Sequence, residues 1–315
     1  MITKNDHIKP YQPLLATLLG IVFVSTASIF IRFAQAEASS IVIAAARLMI
    51  ASFVLGPIAL LRYRHEWTGL SRSDWVKGVL SGVFLALHFA TWISSLELTT
   101  VASSVVLVTT TPLWVAIFSP LVLKEPIQRS VWIGLLVSIT GGFIVGISNA
   151  CEIKQGQLIC QDQFFGGQNM LGNFLALFGA WMAAGYMLMG RQLRKKLNTI
   201  SYTALVYGVA ALILCAAVLF RAEPVFSYST ETYGWLLALG IIPQLLGHSL
   251  FNWALKYISA AYVSLTLLGE PIGTIILALF FLNESPTHLE GLGAILIMIG
   301  IMIGSMGRLK RVNGA

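Results

Sequence analysis

Long apolar stretches recur along this chain, and they restrict its fold more than any other feature of the sequence. A helix of about 20 apolar residues is long enough to cross the hydrocarbon core of a bilayer. Ten such stretches follow one another with short connections, at residues 14–33, 41–61, 75–96, 101–123, 130–149, 170–190, 201–220, 233–254, 260–282 and 288–306. The sequence therefore predicts an all-α integral membrane protein with ten transmembrane helices.

The composition leaves few polar residues to cover a surface in water. Of the 315 residues, 57% are hydrophobic and 10% are charged, whereas soluble domains carry roughly 25% charged residues. The formal net charge is +7, but the basic residues lie between apolar stretches and form no basic face. We therefore expect the lipid bilayer, and no nucleic acid, as a partner. The first stretch is too long for a signal-peptide core, so we expect it to remain as the first span.

The distribution of Lys and Arg predicts the orientation of the chain. With a cytoplasmic N-terminus, sixteen of the 20 Lys and Arg residues fall in cytoplasmic segments, three fall in outer loops, and Arg47 lies within a span. Cytoplasmic loops of membrane proteins carry an excess of Lys and Arg. We therefore predict that the N- and C-termini are both cytoplasmic, in a multi-pass protein of the cell inner (plasma) membrane.

The chain matches itself at an offset of 159 residues. The matched positions include prolines, glutamates and glycines: Pro112 and Pro271, Glu125 and Glu284, Gly134 and Gly293, and Gly141 and Gly300. Five spans in each half place the second half upside down, which is the inverted-repeat plan of secondary transporters. We predict a first five-helix repeat at 1–149, an extracytoplasmic connecting loop at 150–169, a second five-helix repeat at 170–308 and a cytoplasmic tail at 309–315.

Two segments at this offset resemble a known family. The segments "ALKYISAAYVSLTLLGEPIGTIILALFFLNES" and "LELTTVASSVVLVTTTPLWVAIFSPLVLKEP" look like the second-half and first-half signatures of EamA-type transporters, a branch of the drug/metabolite transporter (DMT) superfamily. The resemblance extends over essentially the whole chain. It implies ten helices in two five-helix repeats, an inner-membrane location and export or exchange of small metabolites. The 150–169 connection is longer than is usual in that family and carries two cysteines.

Glu270 lies about ten residues from each end of the ninth stretch, which places it ~15 Å from either surface of the hydrocarbon core. An acidic residue at that depth costs about 2.5–3.5 kcal/mol on insertion scales. We therefore expect Glu270 to face a wet cavity or a partner, as a substrate contact or a proton carrier. The alternative is a structural carboxylate that accepts hydrogen bonds from backbone amides or a neighbouring helix. Its counterpart in the first half is Thr111.

Arg47 is the one basic residue well inside a predicted span. It is a candidate partner for a ligand carboxylate or for Glu270. The two residues differ in predicted depth by ~9 Å, so a direct pair requires a tilted helix or a bridging water. The alternative is an arginine whose side chain reaches the outer interface.

Polar and aromatic residues at a spacing of four form two stripes on equivalent helices. One stripe contains His88 and Trp92, and the other contains Gln244, His248 and Asn252. Side chains four residues apart lie on one helix face, so both stripes are candidate linings of a substrate cavity. The alternative is hydrogen bonding between helices, worth about 0.6 kcal/mol on average. Two isolated histidines on different helices do not indicate a metal site, and no cofactor is expected.

The matched prolines and glutamates are candidates for hinges and gates. Pro112 and Pro271 each remove a backbone hydrogen bond and loosen a helix, and hydroxyls of residues 109–111 are expected to bond the freed carbonyls. Glu125 and Glu284 are interpreted as helix-end or gate residues.

Cys151 and Cys160 flank one polar segment of the connecting loop. On the predicted outer side of the membrane, a disulfide between them forms if the compartment is oxidising. The alternative is two unpaired thiols in a loop.

The absence of two kinds of motif narrows the function. The chain has no GxxxxGK[ST], which excludes ATP hydrolysis of its own, and no GxSxG or HExxH, which argues against an enzyme. The sequence thus predicts a secondary transporter or facilitator of a small metabolite (amino acid, nucleobase or drug-like compound), acting by alternating access around a midplane site, with protons as the candidate coupling ion. The alternative is a flippase of a lipid-linked carrier on the same fold. Two GxxxG pairs, Gly142 with Gly146 and Gly300 with Gly304, let helices approach closely but do not distinguish a monomer from a homodimer.

Overall fold

The chain folds into helices over nearly all of the part that the structure describes. The computed structural model describes residues 9, 11–99, 101–124, 127–147, 151–154, 157–160, 167–281 and 288–312. The α-helices are α1 (Gln12–Ser25), α2 (Ala27–Ala34), α3 (Ser40–Arg62), α4 (Arg64–Thr68), α5 (Arg72–Leu98), α6 (Val101–Val108), α7 (Thr111–Val122), α8 (Arg129–Ile147), α9 (Gly167–Leu193), α10 (Thr199–Phe220), α11 (Thr230–Leu239), α12 (Ser249–Ala254), α13 (Ala260–Thr266), α14 (Glu270–Phe281) and α15 (His288–Val312). A π-helix (Gly240–His248) joins α11 to α12, and a 3-10 helix (Leu267–Gly269) joins α13 to α14.

Several of these helices are suited to a bilayer. Among the described residues, six segments are long and apolar enough to cross a membrane by length and composition: Gln12–Ala34, Ser40–Arg62, Arg72–Leu98, Met170–Leu193, Thr199–Phe220 and Thr230–Ala254. Three further apolar helices among the described residues are shorter: Thr111–Val122, Arg129–Ile144 and Gly291–Gly304. The predicted all-helical class is confirmed by these elements. The count of ten spans and the side on which the termini lie stay predictions.

The outer surface of the helices is apolar. Large hydrophobic side chains such as Phe53, Leu61 and Leu219 project outward and are mostly exposed. A helix that is hydrophobic all round suits a membrane span, since lipid replaces water on its outer face. The buried side of α3 is lined instead by small residues, including Ala44 and Ala51. Small side chains let neighbouring helices approach closely where they pack against one another.

The two halves pack against each other along α8 and α15. A Cβ atom at Gly134 would lie 2.5 Å from the carbonyl oxygen of Gly300, so the two backbones touch where only glycine fits. The hydroxyl of Ser138 donates to the carbonyl of Ile297 over 3.3 Å. Ser138 and Ile297 are 159 residues apart, so this bond joins equivalent positions of the two halves. The glycines that match across the sequence therefore mark a close helix contact within one chain.

Both helices with a matched proline are interrupted just before it. In the first half α6 ends at Val108 and α7 begins at Thr111, so Pro112 occupies the first turn of α7. In the second half α13 ends at Thr266, and α14 begins at Glu270 with the proline next to it. Proline suits the first turn of a helix, where its missing N–H needs no partner. The 101–123 and 260–282 stretches therefore each fold as two half-helices.

The connection between the halves contains a structure that the sequence analysis did not predict. Strands β1 (Cys151–Lys154) and β2 (Gln157–Cys160) form an antiparallel hairpin in which Cys151 lies opposite Cys160. The side chains of both cysteines lie outside the described part of the structure, so the disulfide stays a prediction. The predicted gate residues Glu125 and Glu284 also fall outside the described residues.

Candidate functional site

A cavity of about 70 Å³ lies where the two interrupted helices meet α1, α3, α5, α9 and α12. That volume holds a few water molecules. Seven of the eight predicted substrate-site residues line it: Arg47, His88, Trp92, Thr111, His248, Asn252 and Glu270. The predicted hinge residue Pro112 also lines it. The structure thus brings together residues from distant helices, while their part in binding or proton coupling stays a prediction.

Arg47 is buried with much of its hydrogen-bonding capacity open. Its Nε donates to the Oε1 of Gln244 over 3.0 Å, and its Cζ lies 3.9 Å from the centre of the Phe89 ring. Its two terminal nitrogens have no hydrogen-bond partner among the described residues, and the side chain is 0% exposed. Gln244, the eighth predicted residue, thus acts behind the cavity by orienting the guanidinium. The alternative that Arg47 reaches the membrane interface is wrong, because the side chain is enclosed by protein.

Glu270 is the first residue of α14, directly at the interruption. A helix N-terminus carries partial positive charge, which stabilises a nearby carboxylate. Its backbone is held by α1, because the Ser25 hydroxyl donates to the Glu270 carbonyl over 3.2 Å. Thr274 in turn donates to the Ser25 carbonyl over 3.2 Å. The first of these bonds engages the backbone carbonyl of Glu270 and leaves its carboxylate to face the cavity.

The two charged residues of the cavity do not form a direct pair. No hydrogen bond or ion pair to the Glu270 carboxylate occurs among the residues that the structure describes, and the terminal nitrogens of Arg47 are unpartnered. The interpretation of Glu270 as a carboxylate that bonds loosened backbone amides therefore has no support in the described contacts. A cation and an anion face the same small space without neutralising each other through contact.

Thr111 occupies the position equivalent to Glu270 and has a different local role. Its hydroxyl donates to the Val108 carbonyl over 2.7 Å. Val108 is four residues before Pro112, so this carbonyl is the one that the proline leaves without an N–H donor. Thr110 likewise donates to Leu107 over 2.7 Å. The expectation that hydroxyls bond the freed carbonyls is confirmed in the first half.

In the second half the freed carbonyl is satisfied by the backbone. The carbonyl of Leu267, four residues before Pro271, accepts from the backbone N–H of Glu270 in a 3-10 turn. No side chain is needed there, so position 270 is free to carry a carboxylate toward the cavity. The same interruption is therefore closed in two different ways.

His88 and His248 lie on different walls of the cavity. The Nδ1 of His88 is 2.9 Å from the Gly179 carbonyl, which accepts and thus requires a proton on Nδ1. The His88 ring stacks on Trp92 with centroids 5.9 Å apart. His248 packs edge-on against Phe89 at 5.3 Å. Both rings are aromatic cavity walls, and no group of three or more His, Cys, Asp or Glu side chains among the described residues is arranged to hold a metal.

Asn252 faces the cavity but its amide is already engaged. The Tyr186 hydroxyl donates to its Oδ1 over 2.7 Å, and its Nδ2 donates to the Tyr207 hydroxyl over 3.1 Å. A side chain with both amide atoms bonded to protein serves best as a fixed wall. Tyr186 also lines the cavity, although it is not among the predicted site residues.

A pair of equivalent hydrogen-bonding residues, Gln35 and Arg194, which we call the latches, lies directly after the ends of α2 and α9. Gln35 donates through Nε2 to the Ser40 hydroxyl at 3.0 Å and the Ile93 carbonyl at 3.1 Å. Arg194 makes the matching bonds 159 residues later. Its Nε donates to the Asn252 carbonyl at 2.8 Å and its terminal nitrogen to the Thr199 hydroxyl at 2.7 Å. The predicted site residues did not include the latches, although the repeat offset places Gln35 opposite Arg194 in the sequence.

The latches also locate an inserted residue in the second of two equivalent helices. Ile93 and Asn252 are equivalent because each accepts from a latch. The N-cap residues of their helices are Ser71 and Ser229, which lie 22 and 23 residues earlier (93 − 71 and 252 − 229). The second helix thus contains one additional residue, which the π-helix accommodates. One-residue expansions of this kind frequently occur at functional sites.

Comparison with known proteins gives a consistent result. The sequence pattern of the EamA-like transporter family matches residues 12–147 and 170–306. An uncharacterized transporter of Archaeoglobus fulgidus is 24% identical over 278 residues, which cover 87% of this chain and 91% of the relative. The pseudopaline exporter CntI of Pseudomonas aeruginosa is 27% identical over 278 residues, which cover 87% of this chain and 90% of the exporter. A crystal structure described only as that of a protein shares the fold, with a TM-score of 0.75 and 17% identity over 96% of this chain and 100% of the other.

Proposed function

Because this chain belongs to the EamA-like transporter family, we propose that it is a secondary transporter that exports a small metabolite across the cell inner membrane by alternating access. Its relatives are transporters and not enzymes, and it is a multi-pass membrane protein with a small-molecule substrate. The direction of transport, the membrane in which the protein resides and the alternating-access mechanism are what we propose.

The cavity between the two halves is the observation that carries the proposal. It is lined by α1, α3, α5 and the α6–α7 interruption of the first half, and by α9, α12 and the α13–α14 interruption of the second. Transporters with inverted repeats bind substrate at the repeat interface, beside interrupted helices. Because both halves form the walls of the cavity, a rocking movement of one half against the other opens the cavity to one side of the membrane and closes it to the other side.

The interruptions and the latches supply the moving parts of this mechanism. Pro112 and Pro271 mark points where each helix lacks a continuous ladder of hydrogen bonds, so the half-helices can bend there. Gln35 and Arg194 each close one end of the helix packing. In an inverted repeat these equivalent residues lie at opposite membrane faces, so breaking one latch at a time opens one side at a time.

The charges around the latches support the proposed orientation. The segment at 194–196 reads Arg-Lys-Lys, whereas the equivalent segment at 35–37 reads Gln-Ala-Glu. Lys196 pairs with Asp74 over 2.6 Å, and its counterpart Glu37 accepts from the backbone N–H of Ser229 over 2.7 Å. An excess of basic residues at one face indicates the cytoplasmic side. The Arg194 latch is accordingly the cytoplasmic one.

A lipid-linked carrier is less compatible with this site than a small metabolite. A long-chain lipid needs a lateral opening between helices, whereas this cavity is walled by helices of both halves. Competition by lipid headgroup analogues in a transport assay distinguishes the two substrates.

The experiment that tests the proposed function compares metabolites released by cells that express the wild type, Glu270→Gln or the matched control Glu231→Gln, a glutamate outside the cavity lining, at equal membrane levels. We expect one class of compound to accumulate in the medium with the wild type and the control, and not with Glu270→Gln. A wild-type profile identical to that of cells without the protein contradicts export. Equal release by the wild type and Glu270→Gln shows that the carboxylate has no transport role.

A further inference from the structure

We infer that the ligand of the cavity is a small dipolar molecule whose anionic group binds Arg47 and whose protonated amine binds Glu270. The inference rests on the proposed function, since it takes the cavity as the transport site. Amino acids and derivatives that keep both charges belong to this chemical class. Simple carboxylic acids, simple amines and neutral molecules do not.

The arginine end of the cavity is prepared for a carboxylate. Gln244 holds the Nε of Arg47, and the ring of Phe89 lies under the guanidinium plane. The remaining edge of the guanidinium therefore presents two unpartnered donors in a fixed direction. A carboxylate accepts two parallel hydrogen bonds from such an edge. The indole Nε1 of Trp92, another cavity residue, is also a buried donor without a partner.

The opposite charge is supplied by Glu270 on α14. Its carboxylate has no hydrogen bond or ion pair among the described residues, and its position is set by the bonds between α14 and Ser25. A protonated amine donates to a carboxylate with the strength of a charge-assisted hydrogen bond. Two neighbouring polar groups of the cavity are already engaged, because His88 bonds to Gly179 and Asn252 bonds to two tyrosines.

A ligand with both charges is favoured because each half of the site is incomplete alone. A buried charge without a partner is unfavourable in a low-dielectric interior. A monocarboxylate neutralises the charge of Arg47 and leaves the charge of Glu270 without a partner. An amine neutralises Glu270 and leaves Arg47 without a partner. A dicarboxylate is repelled by Glu270, and a diamine is repelled by Arg47. The dipolar molecule alone neutralises both residues at once.

A second buried arginine shows that the open donors of Arg47 are specific to the cavity. Arg194 is 1% exposed, yet its Nε and both terminal nitrogens donate to Asn252, Leu197 and Thr199. Burial of an arginine in this protein is therefore compatible with full hydrogen bonding. The unused donors of Arg47 mark a place where a ligand completes the structure.

The test measures ligand-induced rises in the unfolding temperature of the purified full-length chain in lipid nanodiscs. The probes are the twenty standard amino acids, and for leucine and phenylalanine also the decarboxylated amine and the deaminated acid. We expect at least one amino acid to bind and stabilise the protein. We expect the amine and the acid of a binding amino acid to bind at least about tenfold more weakly.

Variants separate recognition from folding. Arg47→Gln is expected to bind the amino acid no more tightly than the decarboxylated amine. Glu270→Gln is expected to bind the amino acid no more tightly than the deaminated acid. Arg47→Lys keeps the charge but not the paired donors, so it restores part of the preference if the protein is folded. Gly300→Ala is the control: it disturbs the contact of α8 with α15 outside the cavity lining, so it lowers the unfolding temperature of the ligand-free protein and leaves both preferences unchanged.

Three results overturn the inference. One is an acid or an amine that binds as tightly as its parent amino acid. Another is a released metabolite that lacks either charge. The third is that no amino acid binds although the wild type releases metabolites. If instead an amino acid binds with both preferences but cells release nothing, the proposed export function fails while the recognition site stands.

Discussion

The two interrupted helices of this protein share a break and differ in what the break presents. In the first half Thr111 uses its hydroxyl to bond the carbonyl that Pro112 leaves open. In the second half a 3-10 turn bonds the equivalent carbonyl, and Glu270 keeps its carboxylate free. The helix break is therefore present in both copies of the repeat, whereas a carboxylate next to the break is present in the second copy alone.

The same contrast appears between the contact of the halves and the latches. Along α8 and α15 the equivalent residues touch one another directly, as Ser138 and Ile297 do. At the latches the bonding pattern is the same but the donor is a neutral amide in Gln35 and a guanidinium in Arg194. Equivalent residues therefore make the same contacts where the backbones of α8 and α15 pack. At the latches and at the two helix interruptions, the equivalent residues differ in charge.

The largest expected effect distinguishes the two interruptions. Glu270→Gln should reduce the transport rate by about 100-fold if its carboxylate binds ligand or a proton, because a charged contact is lost. Thr111→Val should reduce the rate by less than about threefold, since a nearby water can replace its bond to the freed carbonyl. Rates measured in proteoliposomes with matched protein content test this difference. Similar losses in both variants would mean that the halves contribute equally and that the asymmetry is without function.

The two latches should differ in their contribution to stability. Arg194→Met removes several charge-assisted bonds and should lower the free energy of unfolding by about 3 kcal/mol, whereas Gln35→Met should lower it by about 1 kcal/mol. Unfolding monitored in mixed detergent micelles provides the measurement. Equal losses would show that the charge of Arg194 adds nothing to the free energy of unfolding.

The contact of α8 with α15 should be sensitive at one glycine and tolerant at another. A Cβ at Gly300 would collide with the hydroxyl of Ser138 and approach the Gly134 carbonyl, whereas a Cβ at Gly291 of the same helix meets nothing within 4 Å. Gly300→Ala should therefore cost about 1–3 kcal/mol, and Gly291→Ala should stay within about 0.5 kcal/mol. The difference between their unfolding temperatures checks this contact, and its absence would contradict the close packing.

The smallest effect concerns pH at the predicted outer face. A hydrogen bond from the backbone N–H of Ser229 lowers the pKa of Glu37 below its ordinary value of 4.5. A lowered folded-state pKa stabilises the protein above pH 4.5, and this contribution is lost as the pH falls through the lowered value. Glu37→Gln should thus lower the unfolding temperature slightly at neutral pH, with a difference from wild type that shrinks in acid. A difference that grows in acid would reverse the assigned sign.

The sequence by itself determined the class of the protein, the register of its duplication and the two places where helices break. Apolar length and proline are local signals, and they act through the bilayer thickness and the missing N–H regardless of what surrounds them. The tertiary structure alone decided which polar side chains share a space. The pairing of Arg47 with Gln244, and not with Glu270, depends on how helices 197 residues apart in sequence are rotated against each other. The π-helix departs from the 3.6-residue period on which the predicted stripe of Gln244, His248 and Asn252 depends, and Gln244 lies outside the cavity that the other two line.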